Sequence, residues 1–174
     1  MLITSIADFC LQYDELLGLL RLEWVSGAGT QSMAASAGRL MGLLHELEVR
    51  HLLLDMNTVP DIPFQEEGWL GTHWMPGLVQ LPLERLVLVI ASSQVHNQLV
   101  IDSLHDLVQP AIRFDSQYFS DADAALTWIT DRSERLPALR AEWAARPAPA
   151  GPEAGPLPAP ETAAAVGRPA GQLR

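Results

Sequence analysis

The groups through which this chain could do chemistry are few: five histidines, one cysteine and 21 carboxylates. The histidines, His45, His51, His73, His96 and His105, show no pair at the i, i+4 spacing of H-E-x-x-H. None stands beside a second ligand at a recognised zinc spacing. No metal or other cofactor is therefore expected. Cys10 is alone, so it can form neither an internal disulfide, a Cys-x-x-Cys pair nor a structural zinc cage. Between Phe9 and Leu11 it reads as a small buried apolar side chain. Every basic residue is arginine, and lysine is absent from the sequence. That excludes a Walker A loop, a protein-kinase strand lysine and a Schiff-base enzyme, each of which needs the amine.

One stretch gathers the rest. Asp55, Thr58, Glu66, Glu67, Trp69, His73 and Trp74 lie within twenty residues. On a helix, Glu66, Trp69 and His73 share a face, with Trp74 adjacent. Such a face would bind a partner, or line a pocket at the carboxyl edge of a sheet, where α/β folds take their ligands. Acid–base catalysis needs two convergent carboxylates or a histidine–carboxylate pair. Spacing alone brings no such pair together, so no catalytic residue is assigned and a non-enzymatic role is expected. Two other motifs fail. Gly27-Ala28-Gly29 would need a glycine at position 32 to complete a dinucleotide loop, and that position is Ser32. Ser36-Ala37-Gly38 sits within a helical pattern, where a nucleophile elbow cannot form.

Charge narrows the partners. The formal net charge is -10, and residues 1–146 hold 19 of the 21 acids and nine of the 11 bases, so this part carries all of it. A surface that acidic repels phosphate backbones and anionic membranes, so nucleic-acid binding and membrane insertion are not expected. The opening residues lack the basic region of a secretory leader, and the lone thiol suits a reducing compartment; a cytoplasmic location is expected. From Pro147 onward proline, alanine and glycine dominate, the composition of a disordered, polyproline-leaning tail.

The elements that must position these residues alternate between periods of two and 3.6. Leu2 to Ile6 and Leu16 to Val25 read as an antiparallel pair of strands. A helix is predicted from Thr30 to Val49, burying Met33, Ala37, Leu40, Met41, Leu44 and Leu47. His45 and His51 flank its end, where a charged imidazole is favourable. Leu52-Leu53-Leu54-Asp55 reads as a strand buried on both faces. A helix from Phe64 to His73, a strand at Leu86 to Ile90 and a helix from Gln94 to Val108 follow; the last buries Val100, Ile101, Leu104, Leu107 and Val108. Ala111 to Phe119 makes a last strand, and Ser120-Asp121-Ala122-Asp123 resembles a capping box opening a helix with Leu126 and Ile129. The order implies an α/β domain over residues 1–131, with a mostly parallel sheet of four to five strands. Residues 132–146 form a helical extension, and residues 147–174 the tail.

This order, with Leu52-Leu53-Leu54-Asp55-Met56-Asn57-Thr58-Val59-Pro60 leading into a helix near Phe64, resembles the STAS-like (SpoIIAA-like) family, the fold of bacterial anti-sigma-factor antagonists. The likeness covers Leu2 to Thr130. Trp24, the helix with Trp69 and Trp74, and Phe119 with Ala124-Ala125-Leu126-Thr127-Trp128 are similar to an uncharacterised bacterial branch. The resemblance implies a signalling or regulatory module working through protein–protein interaction or self-association, with the Asp55–Gly68 loop and its helix as the contact face. Antagonists of that family read Asp-Ser-Ser/Ala-Gly where the helix opens. This chain reads Gln65-Glu66-Glu67-Gly68, which places Glu66 where the phosphorylated serine would stand and removes the phospho-switch. Two acids in a first helical turn also complement the helix dipole, which is structural reason enough for them. The alternative expectation is a small apolar-ligand or lipid-binding domain, with a pocket of several hundred Å³ lined by Trp69 and Trp74.

Overall fold

The computed structural model describes residues 1–25 and 32–147. The Gly27-Ala28-Gly29 turn, the Thr30 cap and the tail beyond Pro147 lie outside the described residues.

The N-terminal part carries three strands where two were expected. β1 is only Leu2–Ile3, and β2, Phe9–Asp14, pairs antiparallel with both β1 and β3, Leu19–Trp24. Phe9, Leu11 and Tyr13 alternate with Cys10, Gln12 and Asp14, the period-two signature of a strand, and the apolar three join the main core. The hairpin turns at Gly18 with φ 58°, where a Cβ would meet Arg50 Nε at 2.8 Å.

β4 (His51–Asp55), β5 (Arg85–Val89) and β6 (Asp115–Phe119) then add in parallel, giving a six-stranded sheet in sequential order, β1-β2-β3-β4-β5-β6. The strand count exceeds the expected four to five. The last strand is also shorter than predicted, because Pro110 sits in a 3-10 turn, Gln109–Ala111, that delays pairing.

Sequential order has a consequence. Right-handed crossovers between successive parallel strands must all lie on one face. That face carries α1 (Met33–Glu46), a composite helix and α4 (Val95–Val108). The composite helix comprises α2 (Phe64–Trp69), a π turn (Leu70–Trp74) and α3 (Met75–Leu78). It therefore runs past the predicted stop at His73. Pro76 lacks the N–H that would bond Thr72 and its ring would collide with that carbonyl. The chain widens into the π turn just before it, with Met75 N donating to Leu70 O.

The opposite face is covered only after the last strand, by α5 (Ala122–Ile129) and α6 (Leu136–Ala144). Asp121, not Ser120, caps α5, accepting from Ala124 N at 2.7 Å. Beneath α5 the sheet is apolar, with Leu19, Leu53, Val87 and Val89 buried. Beneath α6 it is polar. Gln12 Nε2 donates to Leu139 O and Glu142, Arg135 pairs with Asp14 at 2.6 Å, and Arg146 pairs with Glu23 at 2.9 Å. The Arg21 and Arg146 guanidiniums both stack on Trp143, at 4.0 and 4.3 Å from the ring centre. Burial, reinforced by the like charge of Arg146, lowers the Arg21 pKa to about 10.

Cys10 lies on this polar face and is only half-buried, against the expectation of a buried apolar residue. Burial is still enough to push its thiol pKa up despite the nearby Arg146. His51 is likewise not a charged helix-end residue: it opens β4, and burial shifts it toward the neutral form against the pull of Glu84.

Candidate functional site

The loop from Met56 to Pro63 and the helix it feeds lie at the carboxyl edge of the parallel strands. They are fixed from several sides. Asn57 Oδ1 accepts from Ala91 N at 2.7 Å, and Gln94 donates to Asn57 O at 3.0 Å. Thr58 Oγ1 donates to Trp24 O at 2.5 Å, tying the loop to β3. Asn97, fully buried in α4, accepts from Ile62 N at 3.0 Å and donates to the carbonyls of Val59 and Pro60 at 3.2 Å each. Its amide is spent entirely on shaping this loop. Sequence reasoning passed over Asn97, because a lone asparagine on an amphipathic helix gives no signal of which loop it will hold.

Glu66 has a specific task. Its Oε2 accepts from Ala34 N at 2.9 Å, while Ser32 Oγ accepts from Ala35 N at 3.2 Å. Two side chains from different elements thus satisfy two of the free amides at the start of α1 and place a negative charge at its positive end. Glu67, one position on, is half-buried in the same first turn of α2.

Trp69 and His73 stack, ring centres 5.7 Å apart and planes within 6°. Trp69 also lies over Gly38 of α1. The exposed His73 shares a 2.7 Å hydrogen bond between its Nδ1 and Thr72 Oγ1. Trp74 is buried in the core, and its Nε1 donates to Ala37 O at 3.1 Å. The two tryptophans expected to share a pocket both meet α1, at Gly38 and at Ala37, but only Trp74 is buried. Nor do Asp55, Glu66 and His73 converge. Asp55 follows Leu53 onto the α5 and α6 face and accepts from Asn57 N, Glu66 is engaged at α1, and His73 faces outward. Among the described residues, no group of three His, Cys, Asp or Glu side chains could hold a metal ion.

Two further features mark this region. The first is exposed apolar surface. Phe64, in the first turn of α2, is 86% exposed, and Val95, Leu99 and Leu107 of α4 are also exposed. Leu107 was expected in the core. It falls at the edge of the arc centred on Val100, Ile101, Leu104 and Val108, and apolar periodicity does not report how wide the buried stripe is.

The second is a cavity of about 130 Å³ between the sheet and the α1–α4 layer. Trp24, Met33, Met56, Leu70, Trp74 and Met75 contribute to its wall; the lining is almost wholly apolar, and Trp69 is not part of it. It is smaller than the several hundred Å³ the sequence suggested. Cores rarely leave voids much larger than a water molecule.

No protein-family model, curated protein or solved structure matches the chain. Among the described residues, no helix is long and apolar enough to cross a membrane.

Proposed function

We propose that the chain is a non-enzymatic STAS-like interaction module whose contact face is the loop and helix after β4, extended by the outer side of α4. The exposure of Phe64 carries this reading. A phenylalanine that solvated loses the contact area that normally justifies an aromatic side chain. It opens α2 directly after a loop held by Asn57 and Asn97, so the chain presents it on a fixed support.

Its surroundings support the same reading. Seven large apolar side chains are exposed among the described residues, and four of them, Phe64, Val95, Leu99 and Leu107, belong to α2 and α4. Exposed apolar anchors of this kind are what a protein contact needs. Asp61, Glu67, Asp102 and Asp106 are carried on the same loop and helices. With the net charge of -10, they favour a polypeptide partner whose apolar contact is rimmed by basic residues. Glu66 does not contribute an anion to that face, because its carboxylate is committed to α1.

Native mass spectrometry of protein purified gently from its own host tests the proposal. The expected result is a second polypeptide, the same chain or another, in defined stoichiometry. Phe64→Asp should abolish it while the circular dichroism spectrum is unchanged. A bare monomer of the wild-type protein would contradict the reading.

A further inference from the structure

We propose that the cavity beneath the π turn is a binding site for one small, uncharged, hydrocarbon-like molecule, the size of a single aromatic ring or a short alkyl chain. The site is on the interior side of the helix whose outer side carries the contact reading, and the two proposals stand or fall separately.

Size and polarity define the ligand. The volume is about 130 Å³, close to the roughly 150 Å³ of an engineered apolar cavity that stays dry and takes benzene. That corresponds to about six to eight non-hydrogen atoms. Water is a poor occupant, since an ordered water needs two to four polar partners. The polar atom best placed to offer one, Trp74 Nε1, already donates to Ala37 O. Among the described residues lining the space, His105 is the one titratable group. A charged or strongly hydrogen-bonding ligand would therefore be stripped of water without compensation.

Two further features suit a site that admits and releases a guest. Met33, Met56 and Met75 line it, and unbranched thioethers reshape around different occupants at little cost. The π turn sets Leu70 and Trp74 one wide turn apart, and both reach the cavity. Single π turns recur at functional sites.

The methionines also provide the test. Methyl NMR of protein carrying ¹³C-methyl methionine would follow a titration with benzene. Met33, Met56 and Met75 line the space, whereas Met1 and Met41 do not. The three lining signals should shift and saturate while the other two stay fixed. Ile101→Phe, which fills the space from α4, should abolish the shifts; Leu40→Phe does the same from α1 if the first variant folds poorly. The wild-type titration needs neither. Lining signals that do not move, or five signals that drift together without saturating, would overturn the proposal.

Discussion

Glu66 shows how one carboxylate acquires its meaning from a distant element. In the sequence it is an acid at the start of a helix; in the structure it caps a different helix, through Ala34 N at 2.9 Å. Glu66→Ala should lower stability by about 0.5–2 kcal/mol, the range for losing a helix cap. Glu66→Gln, which keeps an acceptor oxygen, should cost less. Urea denaturation of the two variants checks this, and equal costs would show that the carboxylate does not cap α1. His51 gives a second prediction, in pH. Burial lowers its folded pKa, so as pH falls through about 6.5 the unfolded chain takes up the proton first. Stability contributed by neutral His51 is therefore present above that range and declines below it. His51→Gln should make the fall in unfolding free energy between pH 7 and 5 shallower; an unchanged slope would contradict this assignment.

At the scale of elements, α6 is held by a polar interface, by buried Leu136 and Leu139, and by one large ring. Trp143 is buried between the Arg21 and Arg146 guanidiniums. Trp143→Ala should cost about 3–5 kcal/mol, read as a drop in the denaturation midpoint, and should loosen α6 in hydrogen exchange before the rest of the sheet. A cost near zero would mean that α6 contributes nothing to the fold. The same scale shows which elements were legible. β4 and β5 announce themselves, because strands buried on both faces read as unbroken apolar runs. β2 did not, because its second face lies under α6 and is therefore polar, with Gln12 and Asp14 finding partners more than a hundred residues away. The stop predicted at His73 failed because a proline in a helix need not end it when a π turn absorbs the mismatch. The site residues divided in the same way. Thr58 and Trp74 lie in the expected region but are tied to Trp24 and Ala37, while the exposed Phe64 carries no mark in sequence that separates it from a core aromatic.

For the whole molecule, sequential strand order puts every crossover helix on one face and leaves the other to α5 and α6. The two ends of the sheet then differ. The carboxyl edge holds the braced loop and Phe64, whereas the opposite edge holds the β2–β3 turn with Leu16, 72% exposed. An exposed apolar residue at each edge gives a matched pair, of which only Phe64 belongs to the proposed contact face. The decisive measurement is photo-crosslinking in host cells with p-benzoylphenylalanine placed at position 64 or, as the control, at position 16. A discrete protein adduct is expected from position 64 and none from position 16. Adducts of equal yield from both positions, or none from position 64, would contradict the proposed contact face.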